Sequence, residues 1–318
     1  MPPDAILVVD KPRGPTSRQV VLSVRRLTGA GKAGHAGTLD PISTGVLVVC
    51  LGRGTLLSGY LAGGGKEYLV SALVGVTTDT YDTEGEITAR GDTAGLSAEE
   101  IEVSFDSFLG PILQRPPAYS AVKHKGKPLY RYARSGIDVE PEPRLVEVKS
   151  IELISFVREE GKLRVGLEVA CGPGTYIRSL VHEIGEGLGC GACVEELRRT
   201  RSGDFGVEGA PTLDCLSSAG AEEIAGLTTT LEDATGSFPT VVVTDEGALC
   251  VGAGKPLVTG WISEGDGEAC GTFRVLDRRG RLLALYGPPR DGDGEDISGR
   301  AVRIIRPVTL DCEANGAT

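Results

Sequence analysis

The chain has 318 residues, of which 40% are hydrophobic and 24% are charged, and this is the composition of an ordinary globular protein. It contains no run of the roughly 20 apolar residues that a membrane-spanning helix needs, and its first residues lack the basic start and apolar run of a signal peptide. We therefore expect a cytoplasmic protein without membrane association that contains one large domain and one small domain.

The charge is distributed unevenly along the sequence. The net charge of −11 argues against a simple basic nucleic-acid-binding protein. Residues 1–60, however, carry 7 basic and 3 acidic side chains, whereas residues 211–318 carry 9 basic and 17 acidic ones. An acidic total does not exclude binding to RNA when one face of a protein is locally basic.

Eight cysteines are spread over the chain, and most of them lie within apolar or glycine-rich runs. We interpret them as reduced thiols that pack like small hydrophobic residues. Cys190 and Cys193 form a close pair, but a zinc site would need a second pair of ligands at a suitable spacing, and the sequence has none. We therefore expect no metal site.

The first predicted elements are a strand and a helix. Ile6–Val9 is a short apolar run that predicts a strand, and residues 10–15 end it because their two prolines remove backbone donors. Thr16 or Ser17 can cap a helix, and Gly29 can end it. Between them, apolar residues recur at helical spacing at Val20, Val21, Val24 and Leu27.

A glycine-rich loop, Gly29–Pro41, and an unbroken apolar run, Val46–Leu51, come next. The length and β-branching of the run predict a strand that is buried on both faces. The loop contains the dinucleotide-binding pattern G-x-G-x-x-G over residues 29–34. That motif requires a strand before it and a helix after it, whereas a helix precedes it here, so we expect no nucleotide cofactor.

The middle of the chain alternates strands, turns and helices. Tyr68–Val76 predicts a strand and residues 79–85 predict a polar turn. Ser97 begins a capping-box pattern that opens a helix. Residues 163–169 alternate between apolar and polar side chains, which predicts a half-buried strand, and glycines at 172–174 end it. A helix follows, and its apolar face is formed by Ile177, Leu180, Val181, Ile184 and Leu188.

Two segments differ from the rest in composition. Residues 114–144 hold five prolines, three lysines and four arginines, and they predict an exposed, extended insertion. From about Gly236 onwards, short β-rich pieces are separated by glycine turns, which predicts a small all-β domain. We therefore expect a main domain (1–235), a β domain (236–310) and a disordered tail (311–318).

One loop segment indicates more than the loop and turn that its local pattern predicts. Residues 34–41 read Gly-His-Ala-Gly-Thr-Leu-Asp-Pro, and this pattern alone indicates only a loop and a turn. Continued to Leu47, however, the segment resembles the signature of the bacterial TruB family of pseudouridine synthases. Three further segments resemble motifs of that family in the same order, and these are Lys66–Tyr68, Gly174–Leu180 and Leu197–Arg199.

The resemblance implies roles for individual residues. Asp40 is expected to be the catalytic nucleophile, Tyr68 to stack on the target base, and Arg178 to pair with Asp40. Leu197 is expected to pack in the active-site pocket. Residues 114–144 resemble the thumb with which the family grips the T loop of tRNA. The remaining residues that we expect to contact the RNA are His35, Tyr176, Lys123, Lys125, Lys127 and Arg131.

Simpler roles stay open for several of these residues. Tyr68 has the strand preference of a tyrosine that packs on a sheet. His35 has an equally good alternative role in a hydrogen bond that supports its own loop. Arg178 could be an ordinary exposed arginine, but a cation in the first turn of a helix opposes the helix dipole. A nearby carboxylate would compensate for this, and Asp40 is the candidate.

The chemistry that the resemblance implies fits these residue types. Conversion of uridine to pseudouridine breaks an N-glycosidic bond and rejoins the base through carbon, so it is redox-neutral and needs no cofactor. A nucleophilic carboxylate in a closed pocket tends to protonate, and a paired arginine opposes that tendency. The carboxylate can attack either C1′ of the sugar or C6 of the base, and the sequence does not choose between them.

The resemblance further implies a mixed α/β catalytic domain with the pseudouridine synthase fold, which has a central, largely antiparallel sheet, and a small C-terminal PUA-like β-barrel. The expected activity is isomerisation of uridine 55 in the T loop of tRNA, after the base has been flipped out of the loop. We expect a monomer that needs neither a guide RNA nor an obligate protein partner. The alternatives are an RNA-guided rRNA pseudouridine synthase and a tRNA-folding protein whose catalysis is incidental.

The acidic C-terminal domain is open to two interpretations. In the family, the PUA-like module contacts the acceptor end of tRNA. The alternative is a scaffold that only stabilises the main domain. Its basic side chains cluster in the sequence at Arg274, Arg278, Arg279 and Arg281.

Overall fold

The computed structural model describes residues 4–137, 139–265, 271–290, 294 and 296–307. The strands of the main domain are β1 (Ala5–Lys11), β2 (Ala33–Ala36), β3 (Ser43–Leu51), β4 (Lys66–Val74), β5 (Val76–Thr78), β6 (Ile87–Arg90), β7 (Gly110–Gln114), β8 (Lys123–His124), β9 (Lys127–Pro128), β10 (Arg144–Glu159), β11 (Lys162–Cys171), β12 (Ala192–Ser202), β13 (Phe205–Gly206) and β14 (Thr228–Thr229). The later strands are β15 (Thr240–Val243), β16 (Leu257–Val258), β17 (Ile262–Glu264), β18 (Phe273–Leu276), β19 (Leu282–Gly287) and β20 (Ile297–Ile304).

The α-helices are α1 (Ser17–Thr28), α2 (Ser58–Leu61), α3 (Ala98–Ser104), α4 (Leu129–Ala133), α5 (Ile177–Gly187), α6 (Leu213–Ser218), α7 (Ala221–Gly226) and α8 (Asp245–Gly252). Short 3-10 helices lie at Gly52–Leu56, Phe105–Phe108, Asp233–Thr235 and Thr259–Trp261. In the described part of the chain, no helix is both long and apolar enough to span a bilayer.

The main domain is built on one large sheet with the strand order β14-β1-β3-β12-β4-β11-β10-β7, to which β2 and β13 add at β3 and β12. Among the described residues, β3 and β12 form the one parallel pair of this sheet. The predicted mixed, largely antiparallel sheet is therefore confirmed. β3 is buried along almost its whole length, as its continuous apolar run predicts.

The ends of α1 follow from its sequence. The Thr16 side chain accepts a hydrogen bond from the Gln19 backbone N–H, and the Gln19 side chain accepts one from the Thr16 N–H, so the helix begins with a capping box. It ends at Gly29, whose φ of +64° is readily adopted by glycine. The predicted helix boundaries are thus confirmed at both ends.

The expected loop at Gly29–Pro41 is partly wrong, because β2 occupies its centre. β3 pairs with β12 only at Ser43–Gly45, which leaves the rest of that edge of β3 without a partner. β2 fills this edge by pairing with Val48–Leu51 of β3. A buried strand needs partners for its backbone groups, and this need outweighs the loop preference of the local glycines.

Two hydrophobic cores lie on opposite sides of β3. The first is formed by the large sheet together with α1, α3 and α5. The second includes Val46 and Val48 of β3, and it also contains Leu282 and Leu285 of β19. The six-stranded, barrel-like sheet at the C-terminus, with the order β16-β20-β19-β18-β15-β17, therefore packs against the back of the main sheet. The predicted small β-barrel is confirmed, whereas the disordered tail predicted at 311–318 lies outside the described residues.

Candidate active site

A cavity of about 300 Å³ opens between the loop after β2, the start of α5 and the adjoining strands β4 and β12. Residues from distant parts of the sequence meet in its wall. Five of the predicted site residues line it, and these are Asp40, Tyr68, Tyr176, Arg178 and Leu197. The sequence motifs therefore converge on one cavity, which identifies it as the candidate active site.

The loop that carries Asp40 is held by the two segments that precede it in the chain. The Ser17 hydroxyl donates to the Leu39 carbonyl and accepts from the Leu39 N–H, both at 2.8 Å. Gly14 N–H donates to the Pro41 carbonyl at 2.8 Å. The loop is thus bound to the start of α1 on one side and to the turn after β1 on the other.

A buried lysine completes the support of this loop. The Lys11 ammonium donates to the Ser43 carbonyl at 2.6 Å, to the Pro12 carbonyl at 2.9 Å and to the Pro41 carbonyl at 3.3 Å. Burial lowers the pKa of Lys11 to about 8, although Asp40 opposes this shift. Lys11 therefore joins the backbone of Pro41 and Ser43 to that of Pro12 and places a positive charge near the Asp40 carboxylate.

Arg178 is the centre of the site. Its side chain is only 4% exposed, and its Nη2 atom contacts Asp40 Oδ2 at 2.8 Å, so the expected pairing is present. The same nitrogen donates to the Tyr119 carbonyl at 3.0 Å. Nη1 donates to the Thr80 carbonyl at 2.7 Å and to Asp82 Oδ2 at 3.2 Å. Four acceptors from three loops therefore fix the guanidinium.

Asp82 is a site residue that the sequence patterns did not predict. Its side chain is 7% exposed, and Oδ1 accepts from the Thr80 hydroxyl at 2.7 Å and from the Glu84 N–H at 3.1 Å. These bonds fix the carboxylate before it contacts Arg178. The available signal was the polar turn at 79–85, but nothing in its sequence indicates that it contacts a residue almost 100 positions away.

Two further buried basic side chains line the cavity. The Arg199 side chain is buried, and it donates to the carbonyls of Val46 at 2.9 Å, Gly37 at 3.2 Å and Thr38 at 3.4 Å. The Lys66 ammonium donates to the carbonyls of Ala62 and Gly64 at 2.8 and 2.7 Å, and burial lowers its pKa to about 8. Both side chains line the cavity beside Tyr68.

The Tyr68 ring is buried against these two cations. Burial raises the pKa of its hydroxyl, and the nearby Arg199 guanidinium opposes the rise. Neither Lys66 nor Arg199 was predicted to have a role, although both lie inside the motifs that drew attention to Tyr68 and Leu197. Their side chains lie together only because β4 and β12 are neighbours, with Tyr68 opposite Arg199.

Gly45 is required for the close approach of β3 to β12. Its φ is +96°, and a β-carbon at this position would lie 2.1 Å from the Arg199 carbonyl oxygen. Any side chain would therefore separate the two strands and shift both Arg199 and the loop before β3. The glycine is part of the geometry that pairs Leu197 with Ser43 and brings Asp40 and Leu197 to the wall of one cavity.

Tyr176 lies at the entrance to α5 and is held through its backbone. Its N–H donates to Gln114 Oε1 at 2.8 Å, and its carbonyl accepts from Gln114 Nε2 at 3.1 Å. Burial raises the pKa of its hydroxyl. Gln114 is the last residue of β7, so this clamp connects the base of the 114–144 insertion to the helix that carries Arg178.

His35 does not line the cavity. It lies in β2 opposite Val49, and burial lowers its pKa, with Arg199 acting in the same direction and a hydrogen bond with the Gly37 backbone opposing. Its Nδ1 atom is buried without a hydrogen-bond partner in the part of the chain that the structure describes. The bond with Gly37 favours the role of His35 in supporting its own loop, and its contact with RNA stays a prediction.

The basic residues of the insertion lie on a small exposed unit. β8 and β9 form a hairpin whose turn contains Lys125 at a φ of +46° and Gly126 at +82°, and α4 follows. The predicted RNA-contacting residues here are Lys123, Lys125, Lys127 and Arg131. All four are exposed, and none forms an ion pair with a described carboxylate. Their positive charge is therefore available to a partner.

Within the described residues, no group of three or more histidine, cysteine, aspartate or glutamate side chains could hold a metal ion. Cys190 and Cys193 are buried free thiols, and burial raises the pKa of both, that of Cys193 to about 11. These thiols pack as small apolar groups, as their apolar and glycine-rich surroundings in the sequence predict.

Two family models match the chain. The model described as TruB family pseudouridylate synthase (N terminal domain) matches residues 25–177, and the one described as tRNA pseudouridylate synthase B C-terminal domain matches residues 178–233. The matched segments include the whole wall of the cavity.

Curated relatives match over most of their length. The tRNA pseudouridine synthase B of Stutzerimonas stutzeri is 40% identical over 291 residues, which cover 90% of this chain and 92% of the relative. That of Syntrophus aciditrophicus is 45% identical over 244 residues, covering 76% and 77%. That of Aeromonas salmonicida is 48% identical over 211 residues, covering 66% and 65%.

Solved structures share the fold. The archaeal box H/ACA sRNP Nop10-Cbf5 complex contains a chain that matches 95% of this one and 86% of its own length, with a TM-score of 0.72 and 26% identity. A Cbf5-Nop10-Gar1 complex matches 95% and 85%, with a TM-score of 0.73 and 29% identity.

Proposed function

The chain belongs to the TruB family of pseudouridine synthases, and we propose that its cavity receives uridine 55 of the tRNA T loop and isomerises it to pseudouridine. The observation that carries this proposal is the contact of Arg178 with Asp40, at 2.8 Å, in the wall of a cavity that also contains Tyr68 and Leu197. A carboxylate held in this way is suited to nucleophilic attack on a bound nucleotide.

Asp40 is the proposed nucleophile. Its side chain is 35% exposed and faces the cavity, whereas that of its partner Arg178 is 4% exposed. The guanidinium stabilises the negative charge of the carboxylate and fixes its direction, because a charged hydrogen bond restricts both distance and angle. The geometry is compatible with attack on C1′ of the sugar and with attack on C6 of the base.

Tyr68 is proposed to hold the base while it is detached and turned. Its ring is buried in the cavity wall, where it can stack on a flat base. Transfer of the bond from N1 to C5 leaves one proton on C5 that must be removed. The proposed acceptor is Tyr68 in its phenolate form: burial raises the pKa of the hydroxyl, and the neighbouring Arg199 guanidinium opposes this rise and so favours the phenolate. The proton taken from C5 restores the hydroxyl, and N1, freed from the sugar, takes up a proton from water in its place.

The proposed RNA grip has two parts. One is the exposed hairpin and helix of the thumb, residues 123–133, whose lysines can bind phosphates. The other is the segment 11–39, which contains six basic side chains and no acidic ones in a protein with a net charge of −11. On its helix α1, Arg18, Arg25 and Arg26 are exposed and pair with no described carboxylate. Phosphate contacts of this kind set affinity and its dependence on salt.

Comparison with relatives favours a stand-alone enzyme over the RNA-guided alternative. The curated tRNA pseudouridine synthases are 39–48% identical to this chain, whereas the Cbf5 chains of the H/ACA complexes are 26–29% identical. The proposal therefore includes neither a guide RNA nor an obligate protein partner. A monomer in the cytoplasm is the state in which we expect it to act.

The test is conversion of an unmodified tRNA transcript by the purified protein without guide RNA, with pseudouridine mapped by position. We expect modification at position 55 alone. Conversion only after addition of a guide RNA, or no conversion by the folded protein, would contradict the proposal. An Asp40→Ala variant that modifies nothing but still accelerates tRNA folding would show that a tRNA-folding activity exists beside the catalysis.

A further inference from the structure

Tyr81 has a backbone conformation that is rare for a residue with a side chain. Its φ is +62°, in the left-handed region where a β-carbon crowds the backbone. Tyr81 lies between Thr80 and Asp82, which both accept a hydrogen bond from Nη1 of Arg178, at 2.7 and 3.2 Å. The unusual conformation therefore occurs where the chain turns so that both neighbours face one nitrogen atom.

The ring of Tyr81 lies flat on the imidazole of His182. The two ring centroids are 3.9 Å apart, and the ring planes differ by 9°. His182 lies in α5 four residues after Arg178, which places the two side chains on the same side of the helix, one turn apart. The helix that carries Arg178 therefore also holds the turn that supplies two of its acceptors.

The contact between Tyr81 and His182 is a stacking of two rings and not an attraction between charges. Burial lowers the pKa of His182, with Glu186 opposing, and burial raises the pKa of Tyr81, with Glu183 and Glu186 acting in the same direction. Both rings are thus neutral near pH 7. His182 Nδ1 is buried without a hydrogen-bond partner among the described residues, so this atom supplies no polar anchor.

We propose that Tyr81 and His182 are positioning residues for the isomerisation: their stacked rings fix the turn 80–82 against α5 and thereby hold the Arg178 guanidinium in contact with Asp40. The inference rests on the proposed function, because it concerns the geometry of the same nucleophile. Misplacement of a catalytic group by about 1 Å can lower a rate about 100-fold, so the stacked rings can matter without touching the RNA.

Tyr81→Gly tests the inference sharply. Glycine adopts a φ of +62° without strain, so this variant removes the ring while leaving the backbone conformation accessible. Tyr81→Phe keeps the ring and is the rescue variant. Glu160→Gly is the matched control, because Glu160 also has a positive φ, +50°, but lies in the exposed turn between β10 and β11.

The measurements are the single-turnover rate constant on tRNA, the Kd for tRNA and the melting temperature. We expect Tyr81→Gly and His182→Ala to lower the rate constant about 10- to 100-fold while the Kd stays unchanged. Tyr81→Phe and Glu160→Gly are expected to keep the wild-type rate constant.

The inference is overturned if Tyr81→Gly and His182→Ala both keep the wild-type rate constant. It is also overturned if the loss is confined to the melting temperature or to the affinity for tRNA, because a purely structural or RNA-binding role would act there. A wild-type protein that converts no uridine would instead reject the proposed function.

Discussion

Among the arginines bound to oxygen acceptors, those in the cavity of the main domain differ from those in the seam between that domain and the C-terminal barrel. In the cavity, Arg178 contacts two carboxylates beside about 300 Å³ of open space. In the seam, Arg306 contacts Glu232 at 3.1 Å, and Arg274 donates to the Glu232 carbonyl at 2.7 Å. Neither of these seam arginines lines the cavity that contains Asp40.

The seam contacts hold the barrel in place. Glu232 also accepts from the Leu282 N–H at 2.8 Å, so one carboxylate joins the end of the main domain to β19. Arg281 also has a partner, because it forms an ion pair with Asp277 at 2.6 Å. Burial by itself would raise the pKa of the Asp277 carboxyl, but hydrogen bonds from Arg281 help to lower it. Arg274 and Arg281 are thus already bound to partners within the protein.

This difference shows what a cluster of basic residues in a sequence can and cannot reveal. The family resemblance implied that the barrel contacts the acceptor end of tRNA, and the basic cluster at Arg274–Arg281 was compatible with this, but half of its arginines form internal contacts. The internal contacts of Arg274 and Arg281 therefore favour the scaffold alternative. Arg278 and Arg279 are exposed. A bound arginine indicates a candidate catalytic site when a carboxylate and an open cavity lie beside it.

Removal of one arginine from each region should give the largest difference between them. Arg178→Ala leaves Asp40 and Asp82 without their cation, and we expect the single-turnover rate constant to fall by about 10²- to 10³-fold or more. Affinity for tRNA should change little, because Arg178 contacts carboxylates and carbonyls. Arg274→Ala is the counterpart, and it should lower the melting temperature while leaving the rate constant intact. A loss confined to tRNA affinity in Arg178→Ala would contradict this assignment.

Charge reversal compares the exposed cations of the thumb with those of the barrel. We expect simultaneous substitution of Lys123, Lys125 and Lys127 by glutamate to weaken tRNA binding and to flatten its salt dependence, by about 0.7–0.9 in the log–log slope for each phosphate that is no longer neutralised. The same change at Arg278 and Arg279 should have the smaller effect if the barrel is mainly a scaffold. Binding is measured by titration at several salt concentrations, and an unchanged slope in the thumb variant would show that the thumb does not grip phosphates.

Glu232→Ala should act on stability rather than on chemistry. It removes the acceptor of the Leu282 N–H and of Arg306, and we expect the free energy of unfolding to fall by about 1.5–3 kcal/mol. The rate constant measured well below the melting temperature should be unchanged. Glu264→Ala, an exposed glutamate of β17, is the control. Equal effects of the two substitutions in chemical denaturation would show that the seam contributes nothing specific.

A further expected effect is a pH dependence of stability that arises at Lys11. Its pKa is about 8 in the folded chain against an ordinary value of 10.5, so between these pH values the unfolded chain binds more protons. Stability therefore rises with pH across this window, and the unfavourable contribution is fully present below pH 8. Lys11→Met should remove this part of the slope in unfolding measurements from about pH 7.5 to about pH 10. An identical slope in wild type and variant would contradict the burial of a charged lysine.

Local patterns predicted the elements whose ends and faces are encoded nearby. The possible cap at Thr16 or Ser17, the helical spacing of the valines in α1 and the unbroken apolar run of β3 were sufficient to predict these elements. β2 and the 16-residue β10 were not predicted, because their pairing depends on which strand edges the fold leaves open. The register of β12 beside both β3 and β4 depends on the same long-range arrangement.

The residues that meet in the cavity could be predicted where they lie in sequence motifs. Asp40, Tyr68, Arg178 and Leu197 lie in such segments, and the structure brings all four to one cavity. The contacts of Asp82 and Tyr81 were not predictable, because they depend on a turn that reaches α5 across the domain. Their backbone conformations and partners exist only once α5 and β12 are packed.

The most direct test of the central claim, that Asp40 held by Arg178 carries the reaction, is the single-turnover conversion of tRNA by Asp40→Asn beside the wild type. Asparagine keeps the size of the side chain but removes its charge and its nucleophilicity. We predict no detectable pseudouridine at position 55 together with tRNA affinity close to that of the wild type. Conversion by Asp40→Asn at a rate close to that of the wild type would contradict the account.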